Sequence, residues 1–320
     1  MIDKSVVFVG CVRNCGPYIS SVVANIEKLS RHFRAYSVVL AENDSTDATK
    51  SILSGMVSER PNFQVLCFDG LLESVPSRTE RLALLRNELK SRVLGQEFAG
   101  FDLVCVIDFD EVNSGGISPS GFEDAVRFLL KNEKTAGVFC VSDPVYYDIW
   151  ALRHDDWCPG DCWAEVRAGH PDERTNLVQR LIRDRQVPVS ADSIPIPVKS
   201  AFGGIGIYKK SVLDSGSYVG VNDRGQEVCE HVAFNLSISQ AGGELVIFPR
   251  LRNKTPWEHC LDFRKSKKMN LGSGIELIAP LDHQLDSYMQ AHPLYDRRLP
   301  LLLHEVTRRF GGVSMIDVGC

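Results

Sequence analysis

Two carboxylates one residue apart, Asp108 and Asp110 of Asp108-Phe109-Asp110-Glu111, end an apolar run at residues 103–107. Hard oxygen ligands of this kind suit Mg²⁺ or Mn²⁺, which keep several waters and bridge to substrate phosphates. An ion held there would neutralise a departing diphosphate. A solvated acidic turn would use the same residues, but open parallel sheets bind ligands at just such strand ends. A second polar segment, Glu42-Asn43-Asp44-Ser45-Thr46-Asp47 followed by Thr49, offers acceptors to a ribose or a base. Ser45 or Thr46 would cap the next helix, and capping accounts for 44–47 but not for Glu42. A third segment carries Arg78, Arg81, Arg86 and Asn87 along a helix with an apolar stripe. Arginine grips phosphate bidentately; the alternative is a surface helix laced by Glu80 and Glu88.

These residues need a scaffold, and the pattern supplies one. Strand-like runs at 6–12, 36–41, 63–68 and 103–107 alternate with helical spacing at 18–33, 46–59, 78–94 and 120–132. Strict alternation predicts a mostly parallel sheet with helices on both faces. Arg13-Asn14, residues 42–44 and the Asp108/Asp110 pair then all fall at the carboxyl ends of strands. Beyond residue 135 the pattern changes to a strand at 138–141, an aromatic and acidic stretch Tyr146-Tyr147-Asp148-Ile149-Trp150, and a polar, loop-like 153–176. A proline-rich 188–197, a glycine-rich strand at 201–208, a helix at 232–238 and a last strand at 244–248 complete a half that reads as antiparallel or mixed. A helix at 298–309 is expected to act as a lid or brace.

The chain has 320 residues, a formal charge of −5, 44% hydrophobic and 24% charged residues, which is a folding composition and not a disordered one. The acidic balance argues against non-specific nucleic-acid binding. No stretch reaches the ~18 apolar residues of a membrane span, and the opening residues read as a strand, not as a secretory leader. Ten scattered cysteines, several inside apolar runs, fit a reducing cytosol better than a disulfide framework. Cys158 and Cys162 make only half a zinc site. They read as free thiols in a loop beside Trp157 and Trp163, whose rings suit sugar faces; Cys11 and Cys15 read as structural.

Taken together, the motifs resemble a glycosyltransferase of the GT-A fold, and most closely the fungal capsule-associated α-1,3-mannosyltransferase family. The likeness rests on Glu42…Ser45-Thr46-Asp47-Ala48-Thr49, Arg81-Leu82-Ala83-Leu84-Leu85-Arg86-Asn87, Val104-Cys105-Val106-Ile107-Asp108-Phe109-Asp110 and Tyr147-Asp148-Ile149-Trp150. It covers residues 5–155 well and continues more loosely, through the glycine-rich strand and Glu230-His231, to about 250. The acidic motif here departs from the Asn-Asp-Val of much of that family.

The resemblance implies an α/β, GT-A-like domain over 1–280, with a nucleotide-sugar half at 1–135 and an acceptor half at 136–280, and a helical extension at 281–320. It implies a metal-dependent transfer of a hexose from a nucleotide-diphosphate sugar to a hydroxyl of a glycan or lipid-linked acceptor, with Mn²⁺ or Mg²⁺ as cofactor. Asp110, Asp108 and His259 would serve the metal. Val9, Cys11, Arg13, Glu42, Asn43, Asp44, Arg81, Arg86 and Asp108 would hold the donor. Tyr147, Trp150, Trp163 and His231 would meet the acceptor. Glu230, with Asp148 as rival, would deprotonate the acceptor hydroxyl. The location implied is cytoplasmic, with the cytosolic face of a membrane left open. The competing readings are a sugar-nucleotide pyrophosphorylase, whose glycine-rich basic signature after the first strand is missing here, and a binding module with an inactive site.

Overall fold

The first strand sets the architecture. In β1 (Ile2–Val12), Val6 and Phe8 enter one apolar cluster while Val7 and Val9 enter another on the opposite face. A strand apolar on both sides must be covered on both sides, as in parallel α/β sheets. The computed structural model describes residues 2–254 and two short strands further on. The chain divides into two compact units, Met1–Cys260 and Leu261–Cys320.

The first unit is built on an eight-stranded sheet of order β3-β2-β1-β4-β7-β5-β8-β6. Its strands are β1, β2 (Phe33–Asn43), β3 (Phe63–Phe68), β4 (Leu103–Ile107), β5 (Thr135–Asp143), β6 (Ile196–Val198), β7 (Ile205–Lys209) and β8 (Glu244–Lys254). The first four are mutually parallel. β7 lies antiparallel between β4 and β5, β5 pairs parallel with β8, and β6 closes the edge antiparallel to β8. This is the expected α/β arrangement, mostly parallel first and mixed after.

The helices are α1 (Gly16–Ser30), α2 (Thr49–Glu59), α3 (Leu71–Ser74), α4 (Arg78–Leu94), α5 (Glu111–Ser114), α6 (Pro119–Lys131), α7 (Cys162–Ala168), α8 (Arg174–Val178) and α9 (Glu230–Gln240). Ile19, Leu53 and Phe122 carry α1, α2 and α6 onto one face of the sheet. Leu85, Leu89, Phe234 and Ile238 carry α4 and α9 onto the other.

Some boundaries differ from expectation for local reasons. α2 begins at Thr49 and not at 46, because Glu42 Oε1 accepts from Ser45 N (2.8 Å) and Asp47 Oδ1 from Thr49 N (2.9 Å), holding the intervening residues in a turn. The stretch 153–176, expected as loop, contains α7 and α8; Asp161 caps α7 by accepting from Trp163 N and Ala164 N. β8 runs on to Lys254 because β5 pairs with it again there, Val141–Asp143 against Arg252–Lys254.

In the second unit, β9 (Ser266–Asn270) pairs antiparallel with β10 (Glu276–Pro280). His259, Arg264, Lys265 and the helix expected at 298–309 lie outside the described residues.

Candidate active site

A cavity of about 410 Å³ opens where β1, β2 and β4 end. The chain leaves β1 and β2 through residues in the left-handed region, Asn14 (φ 51°) and Asp44 (φ 50°), a conformation that Asn and Asp tolerate best after glycine. The two strand ends are then tied together. Asn14 N donates to Ser45 Oγ (3.0 Å), Thr46 N to Asn14 Oδ1 (2.8 Å), Cys15 N to Thr49 Oγ1 (2.8 Å) and Gly16 N to Asp47 Oδ2 (3.0 Å).

The acidic turn is held by buried asparagines. Asn113 Nδ2 donates to the carbonyls of Asp108 and Gly204 (2.9 Å each), and Asn253 Nδ2 to Asn113 Oδ1 and the Gly203 carbonyl (3.0 Å each). Asn25 Nδ2 reaches the Asn113 carbonyl (2.9 Å), and Asp108 N donates to the Gly204 carbonyl (3.0 Å). Gly203 (φ 69°) and Gly204 (φ 88°) supply the left-handed turn that aims these carbonyls, which explains the glycine pair before β7. Asp110 Oδ1 accepts from Val112 N (3.0 Å) and so begins α5.

One buried guanidinium crosses the floor of the cavity. Arg86 Nε donates to Glu230 Oε1 (3.1 Å) and Arg86 Nη2 to Asp108 Oδ1 (3.2 Å). The same group lies over the Phe202 ring, 5.2 Å from its centroid. Phe202 also stacks on His231 with centroids 3.8 Å apart. Burial, and then the Arg86 charge, hold His231 well below its ordinary 6.5, so its ring is neutral. Desolvation pushes the Asp108 carboxyl up to about 7; Asp110 adds to this and Arg86 opposes it.

Five buried polar atoms of cavity residues have no hydrogen-bond partner among the described residues: Asn43 Nδ2, Arg86 Nη1, Trp150 Nε1 and both ring nitrogens of His231. Such groups are costly to leave unmade. Toward the N-terminal end of α4, Arg81 Nη1 donates to the carbonyls of Val75 (2.6 Å) and Pro76 (2.7 Å). Burial, then Arg13 and Arg78, lower its pKa, which places three guanidiniums near one another along that wall.

The acidic turn fits a divalent cation. Desolvation holds Asp108 high and the neighbouring Asp110 carboxylate pushes it higher, so a cation between them would relieve that repulsion. Among the described residues no three His, Cys, Asp or Glu side chains form a full cage. A carboxylate pair of this kind suits Mg²⁺ or Mn²⁺, which take one or two carboxylates and complete their shell with water and phosphate.

The structure brings most of the sequence-derived candidates together. Cys11, Arg13, Asn43, Arg81, Arg86, Asp108 and Asp110 line the cavity on one side, and Tyr147, Asp148, Trp150, Glu230 and His231 on the other. Four do not line it. Val9 is buried in the core, since it points beneath the sheet surface toward Leu89. Glu42 is fully buried, with one oxygen on Ser45 N. Asp44 has its two oxygens on Gly70 N and Leu72 N (2.6 Å each). Trp163 packs on the core beside Cys158 and Cys162, both fully buried, so that thiol pair does not line the acceptor side. A hydrogen bond from Cys162 helps lower the Cys158 thiol to about 7.

Sequence reasoning missed Phe202, Asn113 and Asn253. The glycine pair was the one visible signal for the first of these, and nothing in the spacing marks the two asparagines.

No protein-family model matches the chain, and no curated protein sequence matches it. Solved structures similar to it include the mannosyltransferase PcManGT of Pyrobaculum calidifontis in complex with GDP-Man and Mn²⁺, at TM-score 0.45 and 16% identity over 79% of this chain and 57% of that one. TarS of S. aureus in complex with UDP gives TM-score 0.46 and 14% identity over 82% and 62%. Glucosyl-3-phosphoglycerate synthase of Mycobacterium tuberculosis, in complex with Mn²⁺, UDP and phosphoglyceric acid, gives 0.42 and 13% over 87% of each chain. The chain thus spans about three fifths of the length of the first two.

Proposed function

We propose that the protein is a metal-dependent glycosyltransferase, moving a hexose from a nucleotide-diphosphate sugar to a hydroxyl of a glycan or lipid-linked acceptor. The observation that carries the reading is the composition of one cavity. At the carboxyl ends of parallel strands it joins a paired-aspartate turn, an arginine-bearing helix and an aromatic, acidic far wall. The order of the four sequence motifs supports the same reading and the finer likeness to the fungal mannosyltransferase family.

In this reading Asp110, with Asp108 beside it, would hold Mn²⁺ or Mg²⁺, and the ion would supply charge neutralisation to the diphosphate leaving group. Residues at the ends of β1 and β2 take the nucleoside. Arg81 and Arg13 face the donor's anionic part. Tyr147 and Trp150 present ring surface to the acceptor sugar. Arg86 holds Asp108 and Glu230 in register across the site.

The test is a thermal-shift panel of nucleoside diphosphates and nucleotide sugars, with and without Mn²⁺, on wild type and Asp110→Ala. A ligand at 100 times its Kd adds about 2.7 kcal/mol of stability. A Mn²⁺-dependent shift with one nucleotide, lost in Asp110→Ala, is the expected result. No shift with any of them sinks the donor-site assignment. A shift without release of nucleoside diphosphate favours the binding module, and formation of nucleoside triphosphate and sugar phosphate from a nucleotide sugar on adding pyrophosphate favours the pyrophosphorylase.

A further inference from the structure

One stretch of chain, residues 216–229, follows β7 and leads into α9, and on the way it is pinned to α4. Asn87 and Tyr218 exchange two hydrogen bonds, from Asn87 Nδ2 to the Tyr218 carbonyl (2.9 Å) and from Tyr218 N to Asn87 Oδ1 (3.0 Å). Thr79 Oγ1 donates to the Gly220 carbonyl (2.5 Å). A side chain at Gly220 would put its Cβ 2.1 Å from the Thr79 carbonyl oxygen, so only glycine lets the two backbones come this close. Val221 and Glu227 then pair antiparallel, which returns Glu227 to the first turn of α4. Its Oε1 accepts from Ser77 Oγ and Arg78 N, both at 2.9 Å. Burial alone would raise the Glu227 carboxyl; the Ser77, Thr79 and Arg78 donors outweigh it and hold the group below its ordinary 4.5. Glu227 is therefore ionised at neutral pH, and its bonds to α4 are charge-assisted.

This grip lies between two sets of cavity residues. Arg78 and Arg81 stand in the turn that Glu227 holds, and both line the cavity. In the other direction only Val228 and Cys229 separate Glu227 from Glu230, which meets Arg86 of the same helix. Arg78 and Glu227 are 149 residues apart in sequence, so no local rule fixes one wall against the other. We propose that Glu227 is a positioning residue for the donor site: through Oε1 it sets the arginine-bearing turn of α4 against the wall that carries Glu230. The proposal rests on the transferase reading above. Glu227 does not itself line the cavity, so its effect passes through Arg78 and Arg81 on one side and Glu230 on the other.

The experiment measures Tm, binding of UDP and GDP in Mn²⁺ by calorimetry, and release of nucleoside diphosphate from UDP-glucose and GDP-mannose with water as acceptor. The proteins are wild type, Glu227→Ala, Glu227→Gln and Thr79→Val. Glu227→Ala, at a temperature where it is folded, is expected to weaken nucleotide binding and lower kcat/KM by at least about tenfold, the scale of loss when binding groups are slightly misplaced. Glu227→Gln keeps an oxygen for Ser77 and Arg78 and should restore most of that loss. Thr79→Val removes the Gly220 tie while keeping the side-chain shape; it should show the same loss in smaller measure, and it carries the test if Glu227→Ala does not fold. A folded Glu227→Ala with wild-type nucleotide affinity, whatever its Tm, overturns the proposal, because the contact is then only structural. Where Glu227→Ala does not fold, wild-type affinity in Thr79→Val does the same. Glu227→Gln as weak as Glu227→Ala also overturns it, since the charge and not the hydrogen bond would then matter. A wild-type protein that binds no nucleotide and releases none from either donor overturns the transferase reading, and the proposal with it.

Discussion

Arg86 joins Asp108 and Glu230, with Nη2 at 3.2 Å from one carboxylate and Nε at 3.1 Å from the other. The acidic turn at the end of β4 and the start of α9 are therefore one electrostatic unit, built on a side chain from α4. Breaking a buried pair leaves charge uncompensated, which costs about 3–5 kcal/mol. Arg86→Met should lose stability of that order in urea unfolding. The double variant Arg86→Met/Glu230→Gln should recover part of it, because one stranded carboxylate is gone. Equal stability of wild type and Arg86→Met would refute the coupling.

Asn113 connects the Asp108 carbonyl, the Gly204 carbonyl and Asn253. Asn113→Ala strands several of these groups, each worth about 1–3 kcal/mol when buried and unmade. The expected outcome is a lower Tm together with weaker Mn²⁺ binding by calorimetry, since the acidic turn loses its anchor. Unchanged Mn²⁺ affinity would show that the turn holds its shape without the network.

Asp148 is raised by burial, yet both oxygens accept backbone N–H groups. An amide at that position must turn its NH₂ against one of those donors. Asp148→Asn is expected to cost about 1–3 kcal/mol of stability, measured by chemical denaturation. A variant as stable as wild type but without turnover would instead mark Asp148 as a chemical participant.

Asp44 is lowered from its ordinary 3.8, first by the Leu72 N–H and also by the Gly70 N–H. A carboxyl whose folded pKa is depressed contributes stability above its unfolded pKa and loses it as pH falls through the folded value. Asp44→Asn should therefore be less stable than wild type at pH 7, and the gap should close well below pH 3.8. Unfolding curves at neutral and acid pH read this directly; a gap that persists in acid would contradict the assigned role.

Much of the scaffold was legible in the amino-acid order. Continuous apolar runs in β1, β2 and β4 must be covered on both faces, and their alternation with α1, α2 and α4 demands parallel pairing. That alone places Arg13, Asn43, Asp108 and Asp110 at one edge. What the order could not show is direction. Glu42, Asn43 and Asp44 are neighbours, yet one is buried under the turn, one lines the cavity and one braces the loop before α3. Left-handed backbone at Asp44 turns its side chain away from its neighbours.

The sequence by itself determined the fold class and the strand ends where chemistry would gather, because hydrophobic periodicity is a local property of the chain. Only the tertiary structure decided which partners each polar group meets, because those partners are distant in sequence. Arg86, read from the sequence as a donor contact, bridges Glu230 and Asp108. His231, read from the sequence as an acceptor contact, is a buried imidazole with neither nitrogen hydrogen-bonded among the described residues. A long-range ion pair or an unmet hydrogen bond leaves no periodic trace, and it exists only once the sheet has brought α4, β4 and α9 together.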